Sequence, residues 1–251
     1  MGIVNTTPDS FSGDGTLSGG HEAAIARGLA MARAGADIVD VGGESTRPGH
    51  VPVAAVDELT RTIPVVRALV AGGITVSIDT SKLEVAEAAL EAGASIVNDV
   101  WGLRRAPGIA RAAAAGGAGL ILMHNQEGNR YERDLVDEIK DRLRESANRA
   151  IQAGVPGERI VLDPGIGFGK TAEQNMIVLR RLGELGDLGY PIMVGPSKKS
   201  FLGKLFGQDM PARAWGTAAV VAACILRGAA IVRVHDVAEM VAVARVAEAL
   251  R

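Results

Sequence analysis

Three polar residues of the sequence have the hydrogen-bonding groups needed to bind the edge of a heterocycle. Asp79, Asn98 and Asp163 each stand at the end of a short apolar run. A carboxylate accepts two hydrogen bonds in one plane and an amide both donates and accepts, so the trio matches an amino group beside a ring N–H. Any one of them could instead cap a strand end or a turn. Three such endings at one place favour ligand binding.

A second group of residues has the chemistry of an anion site. Arg233 and His235 stand two positions apart, and alternate residues of a strand point the same way. The segment Ser197-Lys198-Lys199-Ser200 follows the preceding apolar run. In α/β barrels the loops after the last two strands commonly bind phosphate. These residues therefore predict a compact anion clamp.

Two segments rich in turn-forming residues follow the first two apolar runs. The first contains Asn5, Asp9 and Phe11, and the second contains the hydroxyls and guanidinium of Ser45 and Arg47. Such segments suit a cover over an anionic or aromatic ligand, although each could be an ordinary solvated loop. Paired loops on neighbouring strands are typical of active-site closure.

Other familiar motifs are excluded by their spacing. The glycine-rich segment from Gly165 to Lys170 is one residue short of a phosphate-binding P-loop, and the third glycine of a dinucleotide fingerprint would fall on Lys170. With four histidines and one cysteine, no zinc-ligand spacing is present. His124 could line a pocket, but a structural histidine is an equally good interpretation. Any metal is expected to be an oxygen-bound divalent ion held against a phosphate.

These residues are separated by elements that alternate strictly between strand and helix, which predicts repeated βα units. Nearly continuous apolar runs predict strands over residues 2–5, 37–41, 75–79, 95–98, 119–124, 160–163, 192–195 and 231–234. Helical periodicity predicts helices over residues 21–34, 53–71, 83–91, 107–115, 133–153, 172–185, 212–226 and 237–250. The prediction is one (β/α)8 barrel domain over residues 1–251, with every strand ending at the same mouth.

Composition agrees with a single globular enzyme. The 251 residues are 47% hydrophobic and 22% charged, with a net charge of −2, so no basic field predicts nucleic-acid binding. No stretch is apolar for the 18 or so residues of a membrane span, and no charged leader precedes an apolar stretch. Cys224 lies in an apolar run and is predicted to be a buried small side chain. We expect a cytoplasmic protein.

The motifs occur together in an order that resembles the dihydropteroate synthase family along essentially the whole chain. They are Asn5-x-Thr-Pro-Asp-Ser-Phe, Gly42-Gly-Glu-Ser-Thr-Arg-Pro-Gly, Ile78-Asp-Thr, Asn98-Asp, Leu122-Met-His, Asp163-Pro-Gly-Ile-Gly-Phe-Gly-Lys, Lys199-Ser-Phe-Leu-Gly and Arg233-Val-His-Asp. The resemblance implies a TIM barrel that condenses 6-hydroxymethyl-7,8-dihydropterin diphosphate with p-aminobenzoate, in an SN1-like path, to 7,8-dihydropteroate and pyrophosphate. That reaction belongs to folate biosynthesis and transfers an alkyl group other than methyl. The resemblance also implies that the enzyme is a target of sulfonamides.

The resemblance also implies a role for each matching residue. The implied catalytic residues are Asp9, Arg47, Lys199, Arg233 and His235; the pterin-binding residues are Asp79, Asn98, Asp163, Lys199, Met123 and Phe168. The implied diphosphate residues are Asn5, Arg233 and His235, with Asn5 also contacting Mg²⁺; the p-aminobenzoate residues are Phe11, Ser45, Thr46, Arg47, Pro48, Lys199 and Ser200. A homodimer is implied as well, and the late helix at residues 212–226 is a candidate for its interface.

Two other functions stay open at this point. A pterin- or methyltetrahydrofolate-binding methyltransferase would use the same Asp79, Asn98 and Asp163 edge, but would not need Arg233 and His235. A catalytically silent pterin-binding homologue would act as a partner subunit. Intact Asp9, Arg47, Lys199 and Arg233 argue against it.

Overall fold

The computed structural model describes residues 1–6, 20–45, 52–197 and 210–251, and the backbone alone for residues 210–213. All eight strands are parallel and pair in sequence order. They are β1 (Gly2–Asn5), β2 (Val39–Gly42), β3 (Val76–Asp79), β4 (Ile96–Asp99), β5 (Gly119–Met123), β6 (Ile160–Asp163), β7 (Ile192–Val194) and β8 (Ala229–Val232). The predicted alternation of strands and helices is confirmed.

The sheet closes on itself just beyond the end of β8. Val234 forms a parallel bridge with Gly2, and its carbonyl oxygen accepts a hydrogen bond of 3.0 Å from the backbone N–H of Ile3. The N–H of Val234 in turn donates to the carbonyl of Met1 at 2.9 Å. These bonds complete a barrel, so no strand edge is left between β8 and β1.

Eight α-helices and two short 3₁₀ helices lie within the described residues. The α-helices are α1 (Gly20–Arg33), α2 (Ala55–Ala71), α3 (Leu83–Glu91), α4 (Gly108–Ala115), α5 (Leu135–Gln152), α6 (Ala172–Arg180), α7 (Met210–Leu226) and α8 (Val237–Ala249). The 3₁₀ helices are Gly157–Arg159 and Leu182–Leu188. None of these described helices has both the length and the apolar character needed to cross a bilayer.

The core forms where small helix residues meet fully covered strands. All four residues of β3, Val76 to Asp79, are buried, as expected of a strand covered on both faces. Gly28 of α1 lies against Leu69 of α2 so closely that a Cβ there would be 2.7 Å from a Leu69 methyl group. Cys224 is buried in α7, and burial raises the pKa of its thiol to about 12.

Two predicted boundaries differ from the structure for identifiable reasons. Strand β8 begins at Ala229 rather than two residues later, because Gly228 adopts a left-handed φ of 97° and the chain leaves α7 directly into the strand. Helix α6 ends at Arg180, and the predicted remainder forms a 3₁₀ helix that contains Gly183 and Gly186. Glycine is a poor α-helix former, which explains the change.

The loop after β6 depends on one glycine for its turn. Gly165 has a φ of 70°, and a Cβ added there would lie 1.9 Å from the carbonyl oxygen of His124. Its N–H donates to Oδ1 of Asp163 at 2.7 Å, so the same residue holds the carboxylate that ends β6. No L-amino acid with a side chain fits this position without moving the backbone.

We expect Gly165→Ala to lower the free energy of unfolding by at least about 3 kcal/mol, because backbone strain and a backbone clash add together. Gly189→Ala is the matched control: its φ is 76°, but no atom lies within 4 Å of the added Cβ. The control should lose only about 1 to 2 kcal/mol. Urea titration measures both, and equal losses would contradict the clash.

Candidate active site

The structure brings Asp79, Asn98 and Asp163 to the same end of the barrel. Asp79 and Asn98 are paired in register on β3 and β4, and Asp163 pairs with Met123 on β5. The three residues are 8%, 2% and 3% exposed, respectively. Because parallel strands share a direction, their carboxyl ends meet at one mouth although they are far apart in sequence.

Arg233, just after β8, joins this cluster through two carboxylates. Its Nε donates to Oδ2 of Asp40 at 2.6 Å, and its Nη2 donates to Oδ2 of Asp79 at 2.7 Å. Burial lowers the pKa of Arg233, but the two carboxylates raise it by more, so the guanidinium stays charged. A planar fork that reaches two carboxylates at once is a geometry that lysine cannot reproduce.

Asp40 is a site residue that the sequence analysis missed. It lies in the middle of β2 and is fully buried, and its Oδ2 also accepts a hydrogen bond of 3.2 Å from Nδ2 of Asn98. The signal was present in the sequence: one charged residue interrupts the apolar run Ile38-Val39-Asp40-Val41. A charge at a buried strand position requires a partner, and here the partner is Arg233.

Three side-chain oxygen atoms of the cluster are buried without a hydrogen-bond partner among the described residues. One is Oδ1 of Asp40, and the other two, Oδ1 of Asp79 and Oδ1 of Asn98, come from neighbouring residues of the sheet. Buried acceptors are normally satisfied, because an orphaned one costs about 1 to 3 kcal/mol. Two adjacent orphaned acceptors at a barrel mouth are the arrangement expected where a ligand supplies two N–H donors.

The protonation of Asp79 is sensitive to its surroundings. Burial raises the pKa of Asp79 to about 7, and Arg233 opposes the rise. Asp40, Glu58 and Asp99 add to the rise because they place further negative charge nearby. Asp79 is therefore a carboxyl group whose charge changes close to neutral pH.

Lys170 is occupied within the loop after β6. Its Nζ contacts the carbonyl oxygens of Gly165 at 3.1 Å and Phe168 at 3.0 Å, and Nδ1 of His124 at 3.0 Å. The lysine thus fastens a tight loop and does not extend to a phosphate as a P-loop lysine would. Phe168 is half-buried in the same loop, and Met123 is buried at the end of β5.

The surroundings of His124 indicate a structural role. Burial, followed by the nearby charges of Lys170 and Arg104, lowers the pKa of His124 to about 2. The neutral ring accepts from Lys170 through Nδ1 and stacks on Tyr131, with 6.0 Å between ring centroids. The ring lies behind the Asp163 loop and supports it, which favours the structural interpretation of this histidine.

The predicted anion residues lie at the ends of β1, β7 and β8. Asn5 is the last residue of β1 and is partly buried. The ring Nδ1 of His235 is 3.0 Å from Oγ of Ser197, and that hydroxyl also accepts from the His235 N–H at 3.2 Å. Ser197 therefore orients the imidazole. The compact anion clamp of Arg233 and His235 stays a prediction.

An ionic cluster lies beside the pocket at the root of the second loop. Lys82 donates to both Glu44 and Glu58, and its Nζ is 2.5 Å from Oε2 of Glu58. The Glu58 side chain is only 1% exposed. Arg61 of α2 also donates to the carbonyl of Gly43 at 3.1 Å. These contacts hold the chain that leads from β2 to Ser45, which is partly buried.

The loop after β4 forms one side of the mouth. The carboxylate of Asp99 accepts from the N–H groups of Trp101 at 2.8 Å and Leu103 at 2.6 Å, which holds Leu103 at a φ of 65°. Arg105 stacks on Trp101, with its Cζ 3.6 Å from the ring centroid. A cavity of about 40 Å³ is lined by Glu44, Glu58, Asp79, Thr80, Ser81, Val100, Trp101, Arg105 and Asn125.

A larger surface depression, about 540 Å³, lies away from the strand ends beside α5. Its acidic and basic side chains pair with one another, as Arg133 does with Asp141 at 2.8 Å. The smaller cavity is the better candidate for chemistry, because the strand-end residue Asp79 lines it.

Several predicted site residues lie outside the described residues. They are Asp9 and Phe11 of the first loop, Thr46, Arg47 and Pro48 of the second loop, and Lys199 and Ser200 after β7. Their roles stay predictions. Within the described part of the chain, no group of three or more acidic, histidine or cysteine side chains has the geometry to hold a metal ion.

Comparisons with known proteins identify the family of this chain. Residues 1–235 match the family model described as pterin binding enzyme. A dihydropteroate synthase of Synechocystis is 47% identical over all of this chain and 89% of its own length. Among solved structures, dihydropteroate synthase of Clostridium difficile with pteroic acid is 49% identical, with a TM-score of 0.95 over 100% of this chain and 95% of that one. The Xanthomonas albilineans dihydropteroate synthase with 4-aminobenzoic acid is 44% identical, with a TM-score of 0.93 over 100% and 92% of the two chains. The chain therefore belongs to the pterin-binding enzyme family and groups within it with the dihydropteroate synthases.

Proposed function

We propose that the protein condenses 6-hydroxymethyl-7,8-dihydropterin diphosphate with p-aminobenzoate to give 7,8-dihydropteroate and pyrophosphate. It is a transferase of an alkyl group other than methyl and acts in folate biosynthesis. The observation that carries the proposal is the pair of orphaned acceptors, Asp79 Oδ1 and Asn98 Oδ1, next to the charged Arg233. One surface thus offers acceptors for a pterin edge and a cation for a leaving group.

The pterin end of the pocket binds by accepting hydrogen bonds. Asp79 and Asn98 accept from the amino group and ring N–H of the pterin, and Asp163 extends the same edge. Met123 and Phe168 supply apolar walls, and Lys199 completes this end. A hydrogen bond to a charged group contributes about 1.5 to 3 kcal/mol and one to a neutral group about 0.5 to 1.5 kcal/mol, so two carboxylates and one amide account for selective binding of a small polar ring.

The leaving-group end stabilises the departing diphosphate. In an SN1-like path the C–O bond breaks first, the pterin stabilises the exocyclic carbon cation, and pyrophosphate carries away the bonding electron pair. Arg233 and His235 neutralise the developing negative charge. Electrostatic stabilisation of this kind is worth roughly 3 to 4 kcal/mol for each well-placed donor. Ser197 keeps the His235 imidazole oriented for this role.

The donor set at the mouth fits a Mg²⁺ ion carried by the substrate. The amide oxygen of Asn5, at the end of β1, is the oxygen ligand proposed to hold it. Mg²⁺ typically keeps several waters and takes few protein ligands together with substrate phosphates. Bound there, the ion supplies positive charge to the diphosphate.

The second substrate is placed by the loops. Phe11, Ser45, Thr46, Arg47, Pro48, Lys199 and Ser200 form the proposed p-aminobenzoate site. The neutral arylamine attacks the exocyclic carbon and then loses a proton, while the carboxylate of Asp9 favours the cation electrostatically. Exclusion of water by the two loops prevents the cation from being trapped as the alcohol. The buried ionic cluster of Lys82, Glu44 and Glu58 supports the root of the second loop.

The alternative functions make different predictions. A methyltransferase has no use for a charged group at a leaving-group position, whereas Arg233 lies beside the acceptor pair. A silent homologue binds pterin but makes no product. Purified protein, Mg²⁺ and both substrates separate the synthase from both alternatives: the synthase releases pyrophosphate with formation of dihydropteroate, and well-folded protein without product would refute the proposal.

The proposal includes a homodimer and a cytoplasmic location. Two neighbouring helices carry exposed apolar side chains: Trp215 and Leu226 of α7 are 78% and 47% exposed, and Val246 of α8 is 62% exposed. A second copy of the chain is the proposed cover for this face, giving a homodimer. Cytoplasmic location stays a prediction, and sulfonamides are the expected inhibitors at the p-aminobenzoate site.

Arg233→Lys tests the leaving-group role. Lysine keeps the charge but loses the fork that reaches both carboxylates, so we expect the rate of pyrophosphate release to fall about 100-fold or more. Arg233→Ala is a poorer test, because it leaves Asp40 and Asp79 without their cation and should cost about 3 to 5 kcal/mol of stability. Arg227→Lys, at an exposed position after α7, is the control and should retain activity.

Pterin affinity should depend on pH through Asp79. Its pKa is raised to about 7, and the charged form accepts more strongly, so affinity should rise with pH up to neutrality and then level off. Below the pKa, calorimetry with 6-hydroxymethylpterin should show up to about a tenfold weakening per pH unit. Asp79→Asn should remove this dependence, and the exposed-site variant Asp57→Asn should preserve it. A flat profile in the unaltered protein would contradict the assignment.

Trp215→Glu tests the dimer. Placing a charge on an apolar interface should shift the protein from dimer to monomer in sedimentation velocity, since an unpaired buried charge is costly. Val56→Glu, at a residue of α2 that is 66% exposed, should leave the dimer unchanged. A monomer in the unaltered protein would refute this interface.

A further inference from the structure

We propose that Asp40 is a positioning residue that makes the pterin pocket an all-acceptor edge, by holding the Asn98 amide with its oxygen toward the ligand. The inference rests on the proposed pterin-binding function of the pocket. It adds to that function a residue that touches no substrate and decides which pteridine ring is accepted.

Asp40 is held inside the barrel. It is fully buried in β2, and its Oδ2 accepts hydrogen bonds from Asn98 Nδ2 at 3.2 Å and from Arg233 Nε at 2.6 Å, while its Oδ1 has no partner among the described residues. Its position is thus determined by the barrel interior and by the guanidinium. The carboxylate is present whether or not a ligand is bound.

Asp40 determines the orientation of the Asn98 amide. An ionised carboxylate only accepts hydrogen bonds, so the amide group that faces Asp40 must be the donor, Nδ2. The other end of the planar amide, Oδ1, must then point away from Asp40. Oδ1 is buried and has no partner among the described residues. A rotation of the amide by half a turn would set two acceptors against each other.

Asp79 and Asn98 together present two adjacent acceptors. Asp79 pairs with Asn98 in register, and its own Oδ1 is likewise buried and unpartnered. Its Oδ2 is held by Arg233, which is held in turn by Asp40. One carboxylate therefore sets the orientation of both ligand-facing groups. The pocket presents two adjacent acceptors, and a ring edge that itself carries acceptors there is rejected.

The consequence is selectivity for 2-amino-4-oxo pteridines over 2,4-dioxo pteridines. The former carry an amino donor next to a ring N–H, whereas the latter replace the amino group with a carbonyl acceptor. Sites built to pair with a polar group discriminate strongly, because a mismatch leaves buried groups unpaired. If Asp40 is replaced by a group that both donates and accepts, the Asn98 amide can turn, and the mismatch can be relieved.

The test compares two ligands on two proteins. Calorimetry measures the dissociation constants of 6-hydroxymethylpterin and of the 2,4-dioxo analogue, 6-hydroxymethyllumazine, on the unaltered protein and on Asp40→Asn. We expect the unaltered protein to prefer the amino compound and Asp40→Asn to reduce that preference by roughly tenfold. Asp37→Asn is the matched control, because this exposed aspartate lies just before β2 at the other end of the barrel. The control should keep the preference.

The outcomes separate this inference from the proposed function. A preference reduced in Asp40→Asn alone supports it, whereas equal weakening of both ligands with an unchanged preference means that Asp40 is only structural and overturns it. Weak binding of both ligands to the unaltered protein would refute the pterin-binding function instead. In an Asn98→Ala background, Asp40→Asn should change the preference no further; a further change of similar size would overturn the route through Asn98.

A measurement on the unaltered chain covers the case in which Asp40→Asn does not fold. Neutron diffraction from the deuterated complex with 6-hydroxymethylpterin should show both Nδ2 deuterons of Asn98 directed away from the ring, one of them toward Asp40. A deuteron between Nδ2 and a ring atom would place Nδ2 toward the ligand and overturn the proposal.

Discussion

The buried contact of Arg233 with Asp40 and Asp79 is the interaction on which the rest of the site depends. It joins the end of the barrel to β2 and β3, through hydrogen bonds of 2.6 and 2.7 Å between residues 193 and 154 positions apart in the chain. Separating such charges inside a protein is strongly unfavourable, because the partner that remains is desolvated and unpaired. The pocket therefore has its cation and its hydrogen-bond geometry in place before any ligand arrives.

This arrangement divides the mouth into two ends with opposite chemistry. On one side the second carboxyl oxygen of Asp79, Oδ1, and the amide oxygen of Asn98, Oδ1, are left without partners among the described residues. On the other side Arg233 and the Ser197-oriented His235 carry the donors. A substrate whose ring donates and whose leaving group is anionic fits both ends in one orientation only. Preorganised charges of this kind lower a barrier without reorganising during the reaction.

The support around the pocket is built from contacts that touch no ligand. Lys170 and the neutral His124 fasten the loop behind Asp163, and Asp99 fastens the β4 loop through two backbone N–H groups. Lys82 ties Glu44 to the buried Glu58 at the root of the second loop. Each of these charged residues could be mistaken for a catalytic group from its type alone. Their hydrogen-bond partners identify them as structural.

The sequence by itself determined the barrel and its mouth, because alternating apolar runs and helical periods are local patterns that depend on neighbouring residues. It also placed Asp79, Asn98 and Asp163 at or within one residue of the ends of their strands, and so together at the mouth. Only the tertiary structure decided the pairing of Arg233 with Asp40, since a carboxylate inside an apolar run does not indicate its partner across the barrel. The same holds for His124, which the sequence left between ligand and support until Lys170 and Tyr131 were found against its ring. Hydrogen-bond partners distant in sequence depend on how the elements pack, and that packing is a property of the whole fold.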